Sequence, residues 1–232
     1  MKKGILYLLP NTLGGHADTY CTAQSRAVTA TVRCYLAEEL KSARRLLRAN
    51  GYTDDFSDIQ FEMLNEHTRE DELMSMLTPL IEGKDMAIIS EAGLPCVADP
   101  GSNAVLLAQH MGVRVVPLSG PSSILMTLIS SGLGAQRFTF NGYVPREKNE
   151  RMHKLKQLET HASQGHTQLL MDAPYRNNQL MDDLLKLRPS LHLCIAVNIS
   201  LPDEWIKTKT VAEWKMNKPE LHKKPVMFAL GS

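Results

Sequence analysis

Short continuous apolar runs alternate along the first half of the chain with longer stretches whose apolar positions recur every three or four residues. The runs predict strands at 4–10, 31–37, 59–64, 85–90 and 114–118. The longer stretches predict helices over about 17–30, 39–49, 69–82 and 102–111. In the third of these, Leu73, Leu77, Leu80 and Ile81 share one face, and Arg69, Glu70 and Glu72 stand in an acidic first turn. Strand–helix alternation implies a parallel sheet covered on both faces. Runs such as MAIIS and VRVVPL suit it, because both faces of such a strand are buried.

Beyond residue 120 the pattern changes. A small-residue helix at about 121–132 leads to strand-like RFTFNGYV, a strongly basic helix REKNERMHKLKQLE and a strand QLLM. Helix NNQLMDDLLKL, strand HLCIAVNI and late strands near 205–211 and 225–230 follow. Fewer crossovers and a late hairpin predict a mixed sheet. The expected fold is therefore two α/β domains, residues 1–119 built on a mainly parallel sheet and residues 120–232 on a mixed one.

Composition narrows the class. With 43% hydrophobic and 22% charged residues the chain is globular. A formal net charge of +1 argues against a dedicated nucleic-acid wrapper but leaves room for a local basic face. The four cysteines are widely spaced with no CxxC pair, so reduced thiols and no metal site are expected. The start MKKGILYLLP looks superficially like a signal peptide, but its apolar run is short and no cleavage site follows; it reads as a buried strand. No run reaches the roughly 18 apolar residues of a membrane span, so a cytoplasmic protein is expected.

Candidate chemistry gathers in the loops. Strand 85–90 runs directly into EAGLPCVADPGS, a stiff loop at the carboxyl end of the sheet, where open α/β sheets place ligands. Asp99 is expected to cap the next helix, with Pro100 at its first position. Alone, such a loop merely turns the chain. Similar loops, LLPNTLGG and PLSGPSS, end two other strands, and three on one rim would line a cleft. There is no GxGxxG and no GxxxxGK[ST], so a ligand held by main chain and apolar side chains fits better than a phosphate.

The ordered runs LYLLPNTLGG, LAEELK, SEAGLPCVADPG, VVPLSGPSS and RFTFNGYVPREKNER resemble the tetrapyrrole methylase superfamily. Within it they are most similar to the branch of small-subunit ribosomal RNA 2′-O-methyltransferases. The likeness covers residues 4 to about 176 well and continues more weakly to Leu230. It implies S-adenosylmethionine folded into a cleft between the two domains. The implied cofactor contacts are Pro10, Ser90, Glu91, Ala92, Gly93, Val97, Ser122, Ser123, Met171, Ala196, Ala229 and Leu230. It also implies methyl transfer to ribosomal RNA, and a homodimer.

A ribose hydroxyl must lose or share its proton during methylation. Glu38 and Glu39 are candidate catalytic residues because they follow a predicted strand on the same rim; the plainer reading is an acidic helix start. Lys41 stands where the branch has arginine, and the NEHT run carrying His67 resembles the branch's HEHN; both are candidate substrate contacts. Arg146, Lys148 and Arg151 in the basic helix are candidate phosphate contacts, with a solvated surface as the alternative. Arg44, Arg45 and Arg48 form a second basic group. Departures from the branch fall on its acceptor side: Ala196–Ser200 lacks its charges, whereas MDAPYR keeps Asp172, Pro174 and Arg176. Methylation of a small molecule or protein side chain, and a non-catalytic cofactor-binding module, stay open as alternatives.

Overall fold

The computed structural model describes residues 2–15, 19–65 and 67–232. The chain forms two compact units that divide between Ser122 and Ser123.

The first unit carries β1 (Ile5–Leu9), α1 (Ala23–Thr31), β2 (Cys34–Ala37), α2 (Leu40–Ala49) and β3 (Gln60–Met63). It continues with α3 (Glu70–Met76), α4 (Thr78–Ile81), β4 (Met86–Ile89), α5 (Ser102–His110) and β5 (Arg114–Pro117). The five strands lie in the order β3-β2-β4-β1-β5, all parallel. Leu9, Tyr35, Ala37, Ala87 and Ile89 pack on one face with Leu46 and Leu47 of α2. Leu6, Leu36, Met86 and Ile88 pack on the other with Leu73, Leu77 and Ala104. Two buried faces are why the strand runs carry no polar alternation.

Three expectations change. The 31–37 strand begins only at Cys34, because Thr31 still belongs to α1. That helix starts at Ala23, where the Thr22 side chain accepts the Ser25 N–H; residues 17 and 18 of the expected helix lie outside the described residues. The 69–82 helix divides at Leu77 into α3 and α4, where Pro79 lacks the N–H that a continuous helix would bond.

The second unit carries α6 (Ser123–Ser130), β6 (Phe138–Tyr143), α7 (Lys148–Ser163), β7 (Thr167–Met171) and α8 (Asn177–Leu184). It ends with β8 (His192–Val197), β9 (Trp205–Thr210), α9 (Val211–Met216) and β10 (Val226–Gly231). Its sheet runs β6-β7-β10-β8-β9; β6 and β7 are parallel and the other pairings antiparallel. The late hairpin is β8–β9, while β10 inserts between β7 and β8. Leu170, Ile195, Phe228 and Leu230 bury one face with Leu155 and Leu158 of α7. The expectation of one mainly parallel and one mixed α/β domain holds.

Candidate active site on the rim of the parallel sheet

Three loops meet at the carboxyl ends of β1, β4 and β5. The first two are joined by paired backbone bonds, Asn11 N–H to the Gly93 carbonyl at 2.8 Å and Gly93 N–H to the Thr12 carbonyl at 3.2 Å. The third closes on the first: a Cβ added to Gly120 would sit 2.2 Å from the Pro10 Cβ. Asn11, 2% exposed, is the centre of this frame. Its Nδ2 lies 2.9 Å from Ser42 Oγ, 3.0 Å from the Ser90 carbonyl and 2.9 Å from the Glu91 carbonyl. Ser90 Oγ donates to the Gly93 carbonyl at 3.0 Å. Pro10, Ser90 and Gly93 are therefore buried frame residues, while Glu91, Ala92 and Val97 are exposed. Asn11 was not singled out from the sequence; its only signal was a polar residue after proline in a rim loop.

The loop after β4 is strained. Four of its residues have left-handed backbone: Gly93 at φ 71°, Cys96 at 67°, Ala98 at 57° and Gly101 at 131°. For Cys96 and Ala98 this costs about 1–2 kcal/mol each, and such strain persists only where surrounding bonds over-determine it. Gly101, not Asp99, stands at the cap position of α5. This corrects the capping expectation, because the helix begins at Ser102 and leaves Asp99 in the loop.

Asp99 instead belongs to a carboxyl cluster. β2 lies beside β4, with Ala37 opposite Ile89, so Glu38 emerges next to Glu91. Glu38 Oε2 accepts the Glu91 N–H at 3.2 Å. Burial raises the Asp99 carboxyl to about 8, followed by its hydrogen bond to Glu38 and the charges of Glu38 and Glu91. At neutral pH the Asp99 carboxyl therefore holds its proton beside Glu38. A cavity of about 360 Å³ opens beside Asp99, lined by Leu64, Asn65, Thr68 and Asn103 among others. Glu39 has the other role weighed for it: its two oxygens accept the Lys41 and Ser42 N–H groups at 2.8 and 2.5 Å as the cap of α2. Lys41 and His67 are exposed, the latter with its N–H on Asn65 Oδ1 at 2.8 Å.

The rim is edged by the acidic side chains of Glu38 and Glu91. Glu91 and Ala92 are exposed on it, while the Glu91 N–H and carbonyl are bonded within the frame to Glu38 and Asn11.

In the second unit, Met171 and Ala196 both pair with Met227, and Ala229 lies on the same face between Leu169 and Cys194. Leu230 does not join them. It packs into the core on the opposite face, so its side chain is not available to a ligand beside Ala229. Ser123 opens α6, and Ser122 ends the first unit. Arg146 and Lys148 are exposed. Arg151 is 1% exposed; it pairs with Asp183 at 2.7 Å and donates to the Arg146 carbonyl at 2.7 Å. This corrects its reading as a phosphate contact: it is an internal tie between α7 and α8.

A parallel-sheet unit with a braced, strained loop rim and a mixed-sheet companion define an α/β protein of the kind that places ligands at the carboxyl ends of its parallel strands. The sequence profile of the Tetrapyrrole (Corrin/Porphyrin) Methylases matches residues 22–215, and the chain belongs to that family; it is a methyltransferase. It is 29% identical over 213 residues to "Ribosomal RNA small subunit methyltransferase I" of Halalkalibacterium halodurans, covering 91% of this chain and 70% of that one. It is 30% identical over 194 residues to the protein of that name from Xylella fastidiosa, covering 83% and 67%. Among solved structures, uroporphyrin-III-C-methyltransferase from Thermus thermophilus superposes with a TM-score of 0.58 at 17% identity, covering 99% of this chain and 94% of that one. At that identity the likeness establishes the fold. The superfamily and branch read from the rim motifs are those found.

Proposed function

We propose that this chain transfers a methyl group from S-adenosylmethionine to a ribose 2′-hydroxyl of small-subunit ribosomal RNA. The observation that carries the reading is the Glu38–Asp99 pair on a rim whose family is that of methylases. The printed names of the relatives supply the RNA class. Bound there, the cofactor supplies a methyl already activated on a sulfonium centre, so the protein's task is approach geometry and water exclusion.

Glu91 and Ala92, exposed on the rim, would line the cofactor, with Val97 covering it and Pro10, Ser90 and Gly93 fixing the loop. Ser122, Ser123, Met171, Ala196 and Ala229 are the further contacts that the family likeness assigns. Glu38, held in place by the Glu91 N–H and by its hydrogen bond with Asp99, accepts the hydroxyl proton as the oxygen attacks. Asp99 is a positioning residue. Lys41, His67, Arg146 and Lys148 are assigned to RNA. Among the described residues no helix is long and apolar enough to cross a membrane; a cytoplasmic location is part of the proposal, as is a homodimer, which only the family likeness supports.

Incubation with labelled cofactor and undermethylated small ribosomal subunits tests the reading. Label in RNA supports it. Turnover only with small or protein acceptors, or binding without turnover, overturns it.

A further inference from the structure

Helix α2 carries Lys41, Arg44, Arg45 and Arg48 at spacings of three, four and seven, which places all four on one face. Its opposite face, Ser42, Ala43, Leu46 and Leu47, is buried. The four basic residues are exposed, and the helix contains no acid. Among the described residues no ion pair engages Lys41, Arg44 or Arg45.

Two of these arginines are held in a stack. The Arg48 guanidinium lies 4.4 Å from the Phe56 ring centroid and 5.5 Å from that of Tyr52. Arg44 lies 5.3 Å from Phe56 and 5.8 Å from Phe61, and Arg33 extends the series at 5.4 Å from Tyr52. Guanidinium and ring therefore alternate as Arg33, Tyr52, Arg48, Phe56, Arg44, Phe61. Arg48 is further tied to the Tyr52 and Asp54 carbonyls at 2.7 and 3.0 Å. A solvated arginine samples many rotamers, whereas rings that cover its flat faces restrict them. Asp55 lies within the field of Arg48 and Arg44, but its carboxylate is already engaged as acceptor of the Ser57 N–H at 2.8 Å.

We infer that this face of α2 is a docking track for the phosphodiester backbone of the RNA, leading away from the rim. Lys41 is its rim end, two residues from the Glu39 cap, and Arg44 and Arg45 are its principal phosphate donors, with Arg48 as the anchor of the stack. Contacts of this kind position a nucleic acid without reading its sequence, which suits a surface separate from the acceptor site. The inference rests on RNA being the substrate, and it is tested by RNA binding rather than by methylation.

The experiment measures the affinity of the full chain for a small-subunit ribosomal RNA transcript across a salt series, with cofactor affinity read by calorimetry in parallel. Arg44→Gln with Arg45→Gln should weaken RNA binding roughly 10- to 100-fold and make the logarithmic salt slope shallower by ~1.4, two phosphate contacts on single-stranded RNA. Cofactor affinity should not change. Arg44→Lys with Arg45→Lys, which keeps the charge but loses the stacked fork, should recover the slope and only part of the affinity. Arg45→Gln alone, outside the stack, reports the effect even where loss of Arg44 loosens the fold. Unchanged affinity and slope in the double variant overturns the track, as does a wild-type chain that does not bind RNA. A wild-type chain that binds RNA through these residues yet transfers no methyl to it sinks the substrate reading and leaves the track standing.

Discussion

Asn11 Nδ2 lies 2.9 Å from Ser42 Oγ, which joins the loop after β1 to the first turn of α2 inside the braced rim. The same group reaches the carbonyls at which β4 turns away, so one amide holds three segments together. Asn11→Ala leaves these buried acceptors unsatisfied and should cost about 1–3 kcal/mol. Urea unfolding should show a lower midpoint with an unchanged slope, and cofactor affinity should fall with it. An unchanged midpoint would mean that the frame does not depend on Asn11.

Gly93 sits at φ 71°, and a Cβ there would lie 3.1 Å from Leu13 Cδ2 and 3.3 Å from the Pro121 carbonyl. Gly93→Val combines a β-branched side chain with a left-handed backbone and should abolish cofactor binding by distorting the loop. Calorimetry on the folded variant is the check; retained affinity would move the cofactor site elsewhere.

The proton on Asp99 gives stability a pH dependence of known sign. In the folded chain the carboxyl is raised to about 8, whereas in the unfolded chain it ionises in the ordinary carboxylate range. Between those limits the native state holds the extra proton, so stability is greatest at the acid end of this window and falls as pH rises toward 8. Asp99→Asn, which stays neutral, should flatten this component of the stability–pH curve above pH 4. A curve identical to wild type would place the proton on another group.

Arg151 and Asp183 are 2% and 3% exposed at their side chains. Removing one partner leaves a buried charge, so Arg151→Ala should destabilise the second unit by about 3–5 kcal/mol. Arg146→Ala and Lys148→Ala, at exposed positions, should leave denaturation within about 0.5 kcal/mol of wild type. They should weaken RNA binding by only a few-fold. Comparable stability losses in all three variants would contradict the division between tie and surface.

The contrast between Arg151 and its neighbours shows where sequence reading ran out. Hydrophobic runs made the doubly covered sheet legible, since strands such as MAII have no polar face to misread. Proline and glycine made the rim loops legible because stiffness is a local property. Burial of Arg151 was not legible: a basic residue on a charged helix looks solvated until Asp183 of α8 is placed against it. The Asp99 cluster stayed hidden for a similar reason. It depends on β2 lying beside β4, a neighbour relation between segments about fifty residues apart. Leu230 and Ala229 were read together as ligand contacts, yet adjacent residues on a strand point to opposite faces.

The most direct test of the account is nucleoside analysis of small-subunit ribosomal RNA after reaction with labelled cofactor, comparing wild type with Glu38→Gln. The wild-type chain should produce labelled 2′-O-methylated nucleoside. The Glu38→Gln variant should bind the cofactor normally and lower kcat by about 10²- to 10⁴-fold, the usual contribution of a positioned proton acceptor. Label on a base instead of a ribose, or a Glu38→Gln variant as fast as wild type, would contradict the assignment.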